Sequence, residues 1–242
     1  NFIAEILVES FSYSFKAGDV LTIKSSDAGT ILYSNDQEVA TSPYRWHIRP
    51  VGEGFLSILS GSSNKHVISV PYRGKLEITP HNNGLIIVNE LDLEEYLYSV
   101  IPSEMPIKFG LEALKVQAIA SRSYAIRCFT SQGYANLGAH VDDSTASQVY
   151  NAIKEQSIAV QAVKDTHGMV GFFEGQVIDA RFFSTSCGYT ANFHEVWSDK
   201  EHNFPTKEIP YLVAVPQSPS GSPGLHNEEN FRAFIDGVSL DS

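Results

Sequence analysis

Cysteine is nearly absent. Cys128 and Cys187 are the only two in 242 residues, which excludes a disulfide framework and a four-cysteine metal site. A single bridge between them is compatible with the sequence. Basic residues are also scarce: 17 Lys and Arg stand against 28 Asp and Glu, for a net charge of −11. Phosphate binding wants a basic face, so no nucleic-acid partner is expected. That argument leaves a largely neutral glycan untouched. No apolar run approaches the roughly 18 residues of a membrane span, and no repeat or low-complexity tract occurs. The chain opens on Asn1 without a visible signal peptide, so a processed or trimmed chain is expected, with any membrane anchor outside it. What is present is ordinary globular composition, 19% charged and 11% aromatic. A chain of this length buries roughly three quarters of its unfolded surface and folds without staples.

From Phe2 to about Val88 the signals are short strands. IAEILV, VLTIKS, TILYS, FLSILS, HVISV, KLEIT and LIIV are separated by Gly, Ser, Asn or Asp. Turns are predicted at Ala17-Gly18-Asp19, Gly61-Ser62-Ser63-Asn64 and His81-Asn82-Asn83-Gly84. Past Val88 helices take over: Asp92 to Ile101, Gly110 to about Thr130, and Ile153 to Thr166 with Gly168 as its stop. MVGFF and QVIDARFFS read as strands joined by a hairpin at Glu174-Gly175. A proline-punctuated tail ends in a short helix near Glu228 to Ile235. The fold class is α+β, a β-rich part over 1–88 and a helical and mixed-sheet core over 89–242.

The rest is organised around Leu91 to Arg127. Asp92 reads as an N-cap, completed into a capping box by Glu95. Leu93, Tyr96, Leu97 and Val100 form an apolar stripe, and Pro102 is expected to end the helix by pushing Ile101 out of the α region. The next helix carries Leu111, Leu114, Ala118 and Ala125 on one stripe, with Val116, Ile119 and Ile126 beside it. An arc that wide predicts burial on most sides. Glu104 then lies on a Pro-bounded corner. Ile101, Met105 and Pro106 would desolvate its carboxyl as a general acid requires, while the following helix N-terminus favours the anion. Arg122 sits on a helix with few polar positions, so its guanidinium needs a partner, either structural or substrate.

Two further segments hold chemistry-bearing side chains. His140 to Tyr150 contains Asp142 and Asp143, which with His140 could bind a metal. Turn and helix capping is the commoner use of such residues, and no second His lies at i+4. Ser184-Thr185-Ser186-Cys187-Gly188-Tyr189-Thr190 follows a strand and reads as a cleft wall. Cys187 with His194 as nucleophile and base is disfavoured, because no strand–turn–helix nucleophile signature surrounds it.

Four segments, LDLEEYLYSVIPSEMP, EALKVQAIASRSYAI, DDSTASQVY, and FFSTSCGYT with EVW, resemble the stage II sporulation protein D and amidase-enhancer family. IPYLVAV extends the likeness. The resemblance implies a peptidoglycan lytic transglycosylase that cleaves MurNAc–GlcNAc strands lacking stem peptides and leaves 1,6-anhydro ends. It implies Glu104 as the catalytic acid and Arg122 as an active-site residue. A cell-wall amidase is the implied partner, and the cell wall or outer membrane face the implied location. Asp142, Gln148, Tyr150, Ser184, Thr185, Ser186 and Tyr189 are then expected to bind substrate. Some members hold zinc through cysteines flanking the DDST segment. Here Val141 and Ser147 occupy those places and Ala146 replaces a histidine, so no cofactor is expected. The alternative is a non-catalytic, glycan-binding enhancer of an amidase.

Overall fold

Alternation of apolar and polar side chains folds the first ninety residues into antiparallel strands. They are β1 (Ile3–Val8), β2 (Phe11–Lys16), β3 (Leu21–Ser26), β4 (Gly29–Ser34), β5 (Gln37–Ser42), β6 (Trp46–Val51), β7 (Leu56–Ile58), β8 (Val70–Tyr72), β9 (Lys75–His81) and β10 (Gly84–Glu90). The computed structural model describes residues 3–59, 70–131, 133–151, 154–183, 188–199, 201–217 and 228–237. Two compact units divide the chain, Asn1–Ala180 and Arg181–Ser242.

In the first unit one sheet has the order β10-β9-β6-β1-β2 and a second the order β3-β4-β5, with β7 and β8 forming a ribbon. Ala4, Ile6 and Val8 of β1, Leu32 of β4, Trp46 and Ile48 of β6, and Leu76 and Ile78 of β9 fill a single core. Residues from both large sheets therefore share one interior, as in a small sandwich. Strands β2, β5 and β6 escape the sequence pattern, and β2 is the clearest case. FSYSFK alternates half-buried aromatics with exposed Ser and Lys, a one-sided strand. The predicted turns at Gly18 and Asn82 are in place, the first closed by an Asp19 carboxylate accepting the Lys16 N–H at 2.8 Å. The turn expected at Gly61 and the strand HVISV lie, up to Ser69, outside the described residues.

Three helices follow: α1 (Leu93–Glu104), α2 (Leu111–Ser131) and α3 (Ser157–Asp165). Leu97, Val100, Ile101, Leu114, Ala118, Ala159, Ala162 and Val163 make their common core. The alanines bring α2 and α3 close. Three expectations need correction. Pro102 does not end α1, which runs on to Glu104. Ile101 is fully buried, and its carbonyl accepts the Met105 N–H at 2.9 Å, so packing outweighs the bias a proline puts on its predecessor. Burial on most sides holds only for the middle of α2, since Val116 is 68% exposed. Helix α3 begins at Ser157, because Gln156 is extended and Glu155 is drawn to Arg73.

The hairpin at Glu174-Gly175 joins β11 (Phe172–Phe173) to β12 (Gln176–Val177), both turn residues having positive φ as a two-residue loop requires. The longer strand expected past Val177 is not formed over the described residues 178–183. After Val177 no described strand pairs with the run, and backbone left without a ladder stays irregular. In the second unit Arg181 lies over the rings of Phe193 and Trp197, at 5.3 and 4.8 Å, and α4 (Glu228–Gly237) forms where expected. Among the described residues no helix is long and apolar enough to cross a membrane.

Candidate functional site

Helix α1 is fixed at one end and carries the site at the other. Asp92 caps it, accepting the Glu94 N–H at 2.8 Å. Glu95 does not complete the capping box but pairs with Arg73 at 3.3 Å. Glu94 instead faces inward and binds Arg122 through two bonds, Nε to Oε1 at 2.8 Å and Nη2 to Oε2 at 2.6 Å. Arg122 is 1% exposed, and its remaining donors reach the carbonyls of Ala118, Met169 and Val163. The Gly168 N–H adds a third bond to Glu94. A buried guanidinium satisfied on every side acts as a structural post.

Glu104 closes the last turn of α1 and is half-buried. Its Oε1 accepts the Val149 N–H at 2.7 Å, and its Oε2 has no hydrogen-bond partner among the described residues. Beyond it the chain turns out at Met105, makes one 3-10 turn over Ile107–Phe109, and enters α2 through Gly110 at φ 89°. Pro102, Pro106, Ile107, Lys108 and Gln156 line an open depression of about 370 Å³ beside this corner.

The Val149 N–H is held in place by the loop around it. Gln148 is fully buried; its amide donates to the Ser121 carbonyl at 3.3 Å and accepts from the Tyr96 hydroxyl at 3.2 Å. The Ser103 hydroxyl accepts the Asn151 N–H at 3.3 Å, tying the far end of the loop to α1. Asp142 accepts from Tyr134 and twice from Ser144. Burial alone would raise its pKa, but those donors and Ser147 hold it below the ordinary range. Tyr150 stacks on Tyr96 at 5.6 Å and on Tyr72 of β8 at 6.3 Å, so the β7–β8 ribbon braces the same loop. Burial pushes its phenol up to about 12, so it stays neutral near pH 7.

Of the residues expected from sequence, the structure brings Glu104, Gln148 and Tyr150 onto one corner, with Gln148 interior. Asp142 organises its own loop, and Arg122 is interior at the opposite end of α1. Ser184, Thr185 and Ser186, with Cys187, lie outside the described residues. Tyr189 belongs to the second unit and bridges to Pro216. His140 is exposed and packs on Phe129 at 4.7 Å. Among the described residues no three His, Cys, Asp or Glu side chains converge. Sequence reasoning missed Glu94 and the Val149 amide. A buried arginine demands an acid, which points to Glu94; a backbone donor has no sequence signature.

Residues 81–173 match the family model described as SpoIID, Stage II sporulation protein. An amidase enhancer of Bacillus subtilis is 40% identical over 87% of this chain and 34% of its own length. Stage II sporulation protein D of the same organism is 38% identical over 53% of this chain and 39% of its own. An uncharacterised protein of Brachyspira hyodysenteriae is 36% identical over 60% of this chain and 38% of its own. The chain thus spans between a third and two fifths of the length of these relatives. Residues 81–173, which build most of the Glu104 corner, are a segment of the stage II sporulation protein D and amidase-enhancer family.

Proposed function

We propose that this chain acts on the bacterial cell wall outside the cytoplasm, as a lytic transglycosylase of glycan strands lacking stem peptides. The observation that carries this reading is the state of Glu104: Oε1 is held by the Val149 N–H, and among the described residues Oε2 has no hydrogen-bond partner. A proton placed on Oε2 is the one available for donation, since Oε1 already accepts a fixed amide.

Oε2–H protonates the bridging glycosidic oxygen as the bond from C1 to that oxygen breaks. The oxygen leaves as the hydroxyl of the departing sugar. The resulting carboxylate takes the proton of the C6 hydroxyl as O6 bonds to C1, giving the 1,6-anhydro end and returning Glu104 to its acid form. One carboxyl is enough because the nucleophile is tethered to the reacting sugar. A glycosidase using water needs a second. General acid–base catalysis of this kind contributes about 10²–10⁴-fold. Arg122 serves as a positioning residue: through Glu94 it fixes the helix that presents Glu104. No donor of Arg122 is left for a sugar, so its effect on catalysis runs through α1.

The similarity to a protein named amidase enhancer, which covers most of this chain, favours a second reading: glycan binding that assists a partner amidase without bond cleavage. Mass spectrometry of products from peptide-stripped strands separates the two. Anhydro ends that vanish in Glu104→Gln support the enzyme; strands bound but returned intact support the binder.

A further inference from the structure

Lys108 stands four residues past Glu104, on the 3-10 turn that borders the depression. Its neighbours there are Pro102, Pro106, Ile107 and Gln156, so among the described residues its ammonium is the one charge on that lining. It is exposed, and among the described residues no carboxylate pairs with it, whereas Lys115 nearby is taken up by Glu112 and Asp165. On a chain of net charge −11, a cation four residues past the candidate acid is a specific attraction for an anion in a repelling field. The side chain of Gln156, half-buried, offers a hydrogen-bonding amide on the same wall.

Resting on the function proposed above, we infer that Lys108 reads the free lactyl carboxylate of a muramic acid unit. The chemistry supplies the complement. A stem peptide is joined to the lactyl group as an amide, which is neutral at that atom. Hydrolysing the amide leaves a carboxylate in its place. A lysine at the rim of the depression therefore favours strands from which the peptide has gone, by attraction to the new anion. This makes discrimination a matter of charge as well as of room.

The test uses two defined GlcNAc–MurNAc tetrasaccharides, one with free lactyl carboxylates and one with the same groups as methylamides. Binding is measured by calorimetry at low ionic strength on the Glu104→Gln protein, so that neither ligand is consumed. The carboxylate form is expected to bind roughly fivefold tighter, the scale of one solvent-exposed ion pair. That ratio falls to about one in Lys108→Gln, is restored by Lys108→Arg, and shrinks with added salt. Equal affinity for the two forms, or a preference that survives Lys108→Gln, overturns the inference, as does failure of both forms to bind. The parent chain is then given the two sugars as substrates. A charge preference in binding without anhydro product leaves Lys108 standing and removes the enzyme. Anhydro product formed equally from both sugars does the reverse.

Discussion

Arg122 and Glu104 sit in the same three-helix layer, at opposite ends of what α1 connects, and differ in what they have left to offer. Arg122 is sealed in, with every donor met by Glu94 or a carbonyl. Glu104 keeps one oxygen committed and, among the described residues, one without a hydrogen-bond partner. A buried charge that is fully satisfied holds structure and has little capacity for a ligand. A carboxyl satisfied on one side only is oriented and still has an oxygen to offer. Glu77 of β9 repeats the first case in the sandwich, where Arg45, His47 and Lys75 all converge on it.

Crossing the two sites gives the largest expected effects. Arg122→Met removes the buried guanidinium, leaves the part-buried Glu94 carboxylate without its cation and is expected to cost about 3 kcal/mol in chemical denaturation. Adding Glu94→Gln recovers part of that loss. Glu104→Gln is expected to cut anhydro-end formation by about 10²–10⁴-fold while changing stability by less than about 1 kcal/mol, since the amide oxygen still accepts from Val149. Should Arg122→Met fold normally and lose only activity, the distinction between the sites fails. Gln148→Met comes next. It strips the Ser121 carbonyl and the Tyr96 hydroxyl of a partner, at about 1–3 kcal/mol. Lower activity should accompany it, because the loop carrying the Val149 amide loosens.

Acid titration probes the sandwich. Burial works to raise the pKa of Glu77, but the bonds from Lys75 and Arg45 and the Lys75 charge outweigh it and bring the value from 4.5 to about 2. A carboxyl whose folded pKa is depressed contributes stability above its unfolded pKa and loses it as pH falls through the folded one. Stability is therefore expected to decline between about pH 5 and pH 2, and Glu77→Gln should flatten that slope in urea melts. The smallest effect belongs to the exposed Lys115–Glu112 pair: Glu112→Ala should leave the urea midpoint essentially unchanged.

Local signals were legible in the sequence. The Asp92 cap, the extents of α2 and α4 and the Glu174-Gly175 hairpin all rest on neighbouring residues, and each is where the pattern places it. Strand β6 was hidden because WHIRPV mixes a fully buried Trp46 with His, Arg and Pro, and only its pairing with β1 and β9 makes it a central strand. Pro102 misled for a related reason. Its local bias is a modest penalty, and the helical core that overrides it is assembled from α2 and α3, far along the chain. At the site, Glu104 stood out as a motif residue. Its bond to Val149, 45 residues away, depends on where the loop is carried by Gln148 and Tyr150.

The most direct measurement is the mass spectrum of products from peptide-stripped glycan strands incubated with the parent chain and with Glu104→Gln. The account predicts 1,6-anhydromuramic ends from the first and none above background from the second. Anhydro ends released equally by both proteins, or by neither, would contradict it.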